Sequence, residues 1–165
     1  MALNRVIHIC KGATVDVLNL LIEDHRTVEA LFDKIETTDN PRLMQQYFAQ
    51  IAQELTLHAA GEEEAFYPAV GQFASTANLV RESYEEHAEV KRLINDISFL
   101  QPTAPLYRER IAQLRAALAH HIEEEEGELF PRVAEHFSEQ QCLELGDQVL
   151  QTKKEAKQRL LGMGV

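Results

Sequence analysis

The chain has 165 residues, a formal net charge of −11 and only two cysteines, Cys10 and Cys142. Its length suits one domain with a sizeable core, and its acidity argues against nucleic acid and anionic membranes, which both attract basic surfaces. The cysteines make neither a disulfide framework nor a zinc pattern, and no apolar run reaches membrane-spanning length. We therefore expect a cytoplasmic protein.

Sparse glycines and prolines divide the chain into five segments with helical periodicity. The first is followed by the loop residues 37–40 and by Pro41, which is expected near the first position of the second helix. The predicted helices cover residues 14–37, 41–68, 76–100, 104–134 and 138–161. Four long helices with short connections favour an all-α, up-down-up-down four-helix bundle. We expect the fifth helix to pack outside this bundle or to cap one end, in a single domain over residues 1–165 with its core at 14–134.

Two stretches of the sequence repeat with an offset of 63 positions. His58 and Glu62 correspond to His121 and Glu125, and Phe66-Tyr67-Pro68 corresponds to Leu129-Phe130-Pro131. Residues four apart lie on one face of a helix, so each pair presents an imidazole and a carboxylate toward the same point. Glu23-Asp24-His25 likewise resembles Glu85-Glu86-His87 at an offset of 62. The repetition predicts two related helical hairpins, each with three candidate ligands.

All six candidates fall on the apolar rows of their predicted helices, as His25 does between Leu21 and Val28. A buried carboxylate without a partner costs several kcal/mol in effect. A pair of metal ions would compensate two such carboxylates, and four imidazoles would complete the donor set. We therefore predict a two-metal site formed by His25, His58, Glu62, His87, His121 and Glu125.

A lone histidine on an apolar row is usually a hydrogen-bonded core residue, so the metal prediction depends on the full ordered set. Other residues near the six candidates are interpreted differently. His120 and Glu124 share the spacing of four but miss the repeat, and we predict that they lie on the surface. Glu29 and Tyr84 are kept as spare candidates for the metal pocket. The acidic runs at 63–64 and 123–126 are interpreted mainly as solvated helix faces.

Imidazole and carboxylate donors together suit iron, manganese or zinc. Ferritin-type bundles use Glu-x-x-His, a spacing that none of the seven histidines has. Over residues 14–134 the ordered set of six ligands resembles the hemerythrin-like family of HHE cation-binding domains. This resemblance implies a centre of two non-haem irons, with Glu62 and Glu125 bridging them beside an oxo or hydroxo group.

Oxygen-carrying hemerythrins resemble this chain but have a fifth histidine in a His-x-x-x-His pair on the third helix. Here Ser83 and Lys91 stand at those spacings from His87. The resemblance thus implies up to two open metal positions, which suit O2, H2O2 or NO in oxidative or nitrosative stress or in iron homeostasis. A redox protein is a further candidate partner. The alternatives are an iron or oxygen sensor without catalysis, and metal storage.

Overall fold

Five long helices form the part of the protein that the computed structural model describes, residues 15–162. Helices α1, α3 and α5 are Val17–Thr37, Ala77–Ser98 and Glu139–Gly162. Helix α2 is Pro41–Gly61, continued by a π-helical turn at Glu62–Phe66 and an α-helical turn at Tyr67–Val70. Helix α4 is Pro105–Glu124, continued in the same way by a π-helical turn at Glu125–Leu129 and an α-helical segment at Phe130–His136. No β-strand occurs between residues 15 and 162. The predicted all-α fold is confirmed.

Local sequence signals fix where these helices begin. The Asp16 carboxylate accepts hydrogen bonds from the backbone N–H of Leu18 and Asn19 at 2.9 and 3.1 Å, and so caps α1. Asn40 caps α2 in the same way, and Pro41 and Pro105 are the first residues of α2 and α4. Proline suits this position because its fixed φ matches the helix and the first N–H groups lack helical partners anyway.

The fifth helix packs on the outside of the bundle. Helix α1 lies beside α2 and α3 beside α4, while α5 contacts α1, α2 and the π-helical turn of α2. Gly146 allows this close approach, since a Cβ there would lie 1.8 Å from the Val15 carbonyl oxygen. Of the two predicted positions for this helix, the structure therefore shows the outer one. None of the helices between residues 15 and 162 has the length and apolar character needed to cross a lipid bilayer.

The bundle has two apolar clusters, and the predicted ligands lie between them along each of the four helices α1 to α4. One cluster includes Val28 and Leu55, while the other includes Leu21 and Phe66. His25 thus falls between Leu21 and Val28 on α1. Such a site is surrounded by apolar packing on both sides, which excludes water and strengthens electrostatic interactions.

Candidate metal centre

The six predicted ligands come together in the middle of the bundle. All six side chains are buried, and Glu62 and Glu125 are wholly buried at 0% exposure. Helices α1 and α3 each supply one histidine, whereas α2 and α4 each supply a histidine and a carboxylate. Two carboxylates in such a place need positive charge close by.

Each carboxylate faces two imidazoles that come from different helices. Glu62 Oε2 lies 3.1 Å from the Nε2 atoms of both His58 and His87. Glu125 Oε2 lies 3.3 Å from His25 Nε2 and 3.4 Å from His121 Nε2. The donor atoms form two overlapping groups that share Glu62, one of four residues and one of three, with all ligand atoms of a group within 4.8 Å of one another. The members are His25, His58, Glu62 and Glu125 in the first group, and Glu62, His87 and His121 in the second.

Four of these buried donor atoms lack a hydrogen-bond partner within the described residues. They are His25 Nε2, His58 Nε2, Glu62 Oε1 and Glu125 Oε2. Leaving a buried polar atom unsatisfied costs about 1–3 kcal/mol, so clusters of them are rare in folded proteins. All four belong to residues whose ligand atoms lie close together, and a bound cation would satisfy them together. The donor set therefore fits a metal.

A second carboxylate orients each of the four histidines by accepting the hydrogen bond of its Nδ1–H. The distance is 3.1 Å for one pair and 2.8 Å for the other three. The pairs are His58 with Asp24, and His25 with Glu126, His87 with Glu63 and His121 with Glu86. This contact uses Nδ1 as the donor and leaves Nε2, on the centre side of each ring, as the atom that would bind a metal, as is usual for metal-bound histidine.

The orienting carboxylates correct one prediction. Glu63 and Glu126 were interpreted as parts of solvated acidic runs, but each contacts a ligand histidine. Both directly follow a predicted bridging glutamate, and Asp24 and Glu86 directly precede a predicted ligand histidine. For Asp24 and Glu86, the signal in the sequence was the repeated acid-acid-His pattern. For Glu63 and Glu126, the signal was their place one residue after each predicted bridging glutamate.

Lysine or arginine side chains form ion pairs with three of these four carboxylates. Lys153 Nζ is 2.6 Å from Asp24, Lys91 Nζ is 2.6 Å from Glu63, and Arg26 pairs with Glu126. The Glu86 carboxylate instead lies 3.3 Å from His120 Nε2. Burial raises the pKa of Asp24, but His58 and Lys153 together outweigh it and hold that pKa below its usual value. Asp24 thus remains ionised next to His58.

In the metal-free protein, paired charges also shift the pKa values of the ligands themselves. Burial favours neutral Glu62, yet His58 and His87 outweigh it and hold the Glu62 pKa well below its ordinary value. Burial equally disfavours charged His58, but Glu62 and Asp24 raise its pKa to about 10. For His87, Glu62 and Glu63 likewise outweigh burial and raise the pKa to about 9. Two imidazolium groups therefore compensate the buried charge until a metal replaces their protons.

The sequence analysis missed Tyr67, whose hydroxyl lies among the ligand atoms. Its Oη donates to Glu125 Oε1 at 2.7 Å and lies 3.2 Å from both Glu62 Oε2 and His87 Nε2. Burial, together with Glu62 and Glu125, raises the pKa of Tyr67 well above its usual value, so the metal-free side chain is a neutral phenol. The repeat held the signal, because the counterpart of Tyr67 is Phe130, which has no hydroxyl.

The spare candidates do not reach the centre. Tyr84 is 39% exposed and donates to the backbone oxygen of Glu63, while the exposed Glu29 pairs with Arg26. His120 is exposed at 62%, as predicted, although Glu124 is only partly so. Cys142 is buried and free, whereas Cys10 lies outside the described residues. The side chains that meet at the centre are thus the six predicted ligands together with Tyr67.

A small apolar cavity borders the histidines. Its volume is about 20 Å³, and its lining includes Leu55, Val90 and Leu118 together with His58, His87 and His121. A space of this volume holds roughly one water-sized molecule. The centre therefore adjoins a space that suits a small uncharged ligand better than an extended substrate.

Comparisons with known proteins agree with this geometry. The family model of the hemerythrin HHE cation-binding domain matches residues 16–133. A DNA nickase of Nostoc sp. (strain PCC 7120) is 32% identical over 148 residues, which are 90% of this chain and 42% of that protein. An uncharacterized hemerythrin-like protein of Schizosaccharomyces pombe is 23% identical over 140 residues, or 84% of this chain and 69% of that one. This chain therefore spans less than half of the nickase.

Among solved structures, an HHE cation-binding domain-containing protein from Mycobacterium kansasii, the Rv2633c homolog, has the same fold. The TM-score is 0.77 at 21% identity, and the match covers 89% of this chain and 90% of that one. The family model covers most of the chain, and the structure places a buried His/Glu cluster where a cation would bind. The chain belongs to the hemerythrin HHE cation-binding domain family.

Proposed function

We propose that the chain binds two iron ions in this centre and that the centre binds or reduces small oxidants, namely O2, H2O2 or NO. The observation that carries the proposal is the pair of donor groups that share Glu62, with four of their buried atoms otherwise unsatisfied. Six donors from four helices exceed what one tetrahedral ion takes. Mixed imidazole and carboxylate donors suit iron.

In this proposal the chain's own residues have three tasks. The Nε2 atoms of the four histidines and the oxygens of Glu62 and Glu125 hold the ions, and the bound irons supply one-electron chemistry. The Nδ1 carboxylates keep each ring in the ligating tautomer. The two apolar clusters keep water away, so that only small molecules reach the centre.

The third helix does not supply a fifth histidine. Ser83 is buried and its Oγ donates to the Leu79 carbonyl at 3.0 Å, while Lys91 pairs with Glu63 near the surface. We propose that Tyr67 serves as a metal ligand in place of this missing histidine. Its Oη lies 3.2 Å from Glu62 Oε2 and from His87 Nε2, which is close to the 3.1 Å between those two atoms. With Tyr67 in this role, the residues that would hold the irons are the six predicted ligands and Tyr67.

Neighbouring glutamates give a sharp test of the ligand set. Glu125→Ala should remove most of the iron from protein made in iron-rich medium, because Glu125 is buried against His25 and His121. Glu124→Ala changes the same residue type one position earlier, outside the centre, and should leave the iron content unchanged. Elemental analysis measures both. Fewer than two irons in the unmutated chain, or an effect of Glu124→Ala but not of Glu125→Ala, would contradict the proposal.

Two alternatives to this function remain, and one of them has an observation in its favour. An iron or oxygen sensor would use the same centre, and its iron-free form would differ in conformation. DNA is a second candidate partner because a DNA nickase is 32% identical to this chain. Against DNA stands the net charge of −11, since phosphate binding depends on basic residues. We favour small oxidants, and incubation of supercoiled plasmid with the iron-loaded protein tests the DNA alternative.

A further inference from the structure

Helix α5 places a lysine over one side of the centre. Lys153 Nζ lies 2.6 Å from both oxygens of Asp24, and the two side chains are only 16% and 17% exposed. Asp24 Oδ2 also accepts the hydrogen bond of His58 Nδ1 at 3.1 Å. A continuous contact path therefore runs from α5 through Asp24 to His58, whose other ring nitrogen faces the centre.

Gly61 makes room for this lysine. A Cβ on Gly61 would lie 2.9 Å from Val149 Cγ1 and 3.1 Å from Lys153 Cγ, so α5 and the lysine stem rest directly on the backbone of α2. Gly61 stands between His58 and Glu62 in the sequence. The residue at the corresponding place in the second half of the repeat is Glu124, which has a long charged side chain.

The two halves of the repeat therefore surround matching carboxylates with different charges. Asp24 and Glu86 correspond to each other and orient His58 and His121, respectively. Asp24 is neutralised by Lys153, while the side chains near Glu86 are His120 and Glu124. A partly buried ion pair is less screened by salt than an exposed one. The different charges beside Asp24 and Glu86 should therefore affect His58 and His121 differently.

We propose that Lys153 is a positioning residue that neutralises Asp24 and thereby makes the His58 side of the centre easier to reduce than the His121 side. The inference rests on the proposed function, because it assigns this charge difference to the bound irons. An ionised carboxylate on Nδ1–H makes an imidazole a stronger electron donor, which stabilises an oxidised metal ion. Lys153 opposes that effect at His58.

Three substitutions test the role of this charge. Lys153→Met keeps an unbranched stem across Gly61 but removes the charge, Lys153→Arg keeps the charge, and Lys154→Met removes an equal charge from the exposed neighbouring residue. The measurement is a spectroelectrochemical titration of each protein after its iron content has been determined. Lys153→Met should lower the reduction potential of one of the two irons, and the other two variants should match the unmutated protein.

The outcomes separate this inference from the proposed function. An unmutated chain without iron contradicts the proposed function itself. Full iron content with an unchanged potential in Lys153→Met, or an equal shift in Lys154→Met, overturns the role of Lys153. Should Lys153→Met lose its iron, NMR of the metal-free proteins decides the matter, since removing Lys153 should move the Nδ1–H resonance of His58 downfield. An unchanged resonance would overturn the inference, and its recovery in Lys153→Arg would support it.

Discussion

Metal-free protein should lose stability as the pH rises above neutrality, whereas metal-loaded protein should not. The reason is that His58 and His87 have raised pKa values in the folded metal-free chain. A group with a raised pKa contributes stability that is fully present below its unfolded pKa, here 6.5, and is lost as the pH passes through its folded value. The stability from these histidines should therefore disappear between about pH 6.5 and pH 10. Bound metal reverses the trend, because it requires the deprotonated rings.

The size of the loss follows from these pKa values. A rise from 6.5 to about 10 for His58 corresponds to about 5 kcal/mol, and a rise from 6.5 to about 9 for His87 to about 3 kcal/mol. Both histidines interact with the same carboxylate of Glu62, so the two contributions overlap instead of adding. We expect the free energy of unfolding to fall by something on the order of 5 kcal/mol.

Urea denaturation of metal-free protein at about pH 6 and about pH 10 measures this difference. Other residues titrate in this range, and Glu62→Gln provides the matched control, because it keeps the shape of the side chain but removes the charge that raises both histidine pKa values. The Glu62→Gln protein should show a much smaller loss between the two pH values. The reasoning fails if unmutated metal-free protein is equally stable at both, or if Glu62→Gln loses as much stability.

Three further predictions concern the loaded centre. Oxidised protein should show a visible phenolate-to-iron absorption, since Tyr67 Oη lies 3.2 Å from Glu62 Oε2 and His87 Nε2. Tyr67→Phe should abolish this band without loss of iron. A band that survives in the variant contradicts Tyr67 as a ligand. Stopped-flow mixing of the reduced protein with O2 should show direct oxidation, and a stable oxygen adduct that is reversed by deoxygenation would favour a carrier. Supercoiled plasmid should stay intact with loaded protein under anaerobic conditions, whereas nicking that Glu125→Ala abolishes would establish DNA as the substrate.

The fold could be predicted because helical periodicity and proline positions act locally. The second and fourth helices were nevertheless predicted to end at 68 and 134, two residues before their ends at Val70 and His136. Each contains a π-helical turn followed directly by a residue pair that ends in proline, Tyr67-Pro68 or Phe130-Pro131. Proline lacks the N–H that continues an α-helix, and the wider π-turn lets the helix run on. Nothing in α-helical periodicity indicates such a turn.

The same turn explains why the sequence analysis missed Tyr67. Five residues separate Glu62 from Tyr67, and in an α-helix this spacing places two side chains about 140° apart. Five residues complete roughly one π-helical turn, because its hydrogen bonds join residues i and i+5. The structure has this bond, from the Tyr67 N–H to the Glu62 carbonyl, so both side chains face the centre. The orienting roles of Glu63 and Glu126 were missed for a different reason, since a charged run does not reveal which carboxylate meets a neighbouring helix.

The repeat and its departures account for different properties of the centre. In both halves it supplies the same donor types and an orienting carboxylate at the matching position, which is why the sequence alone leads to the hypothesis of a two-ion site. Where the halves differ, one carries Tyr67 and Gly61 and the other carries Phe130 and Glu124. Tyr67 brings a hydroxyl to His87, whereas Phe130 only stacks on His25, with ring centroids 6.1 Å apart. The shared positions thus determine that metal binds, and the unshared ones make its two sides chemically unequal.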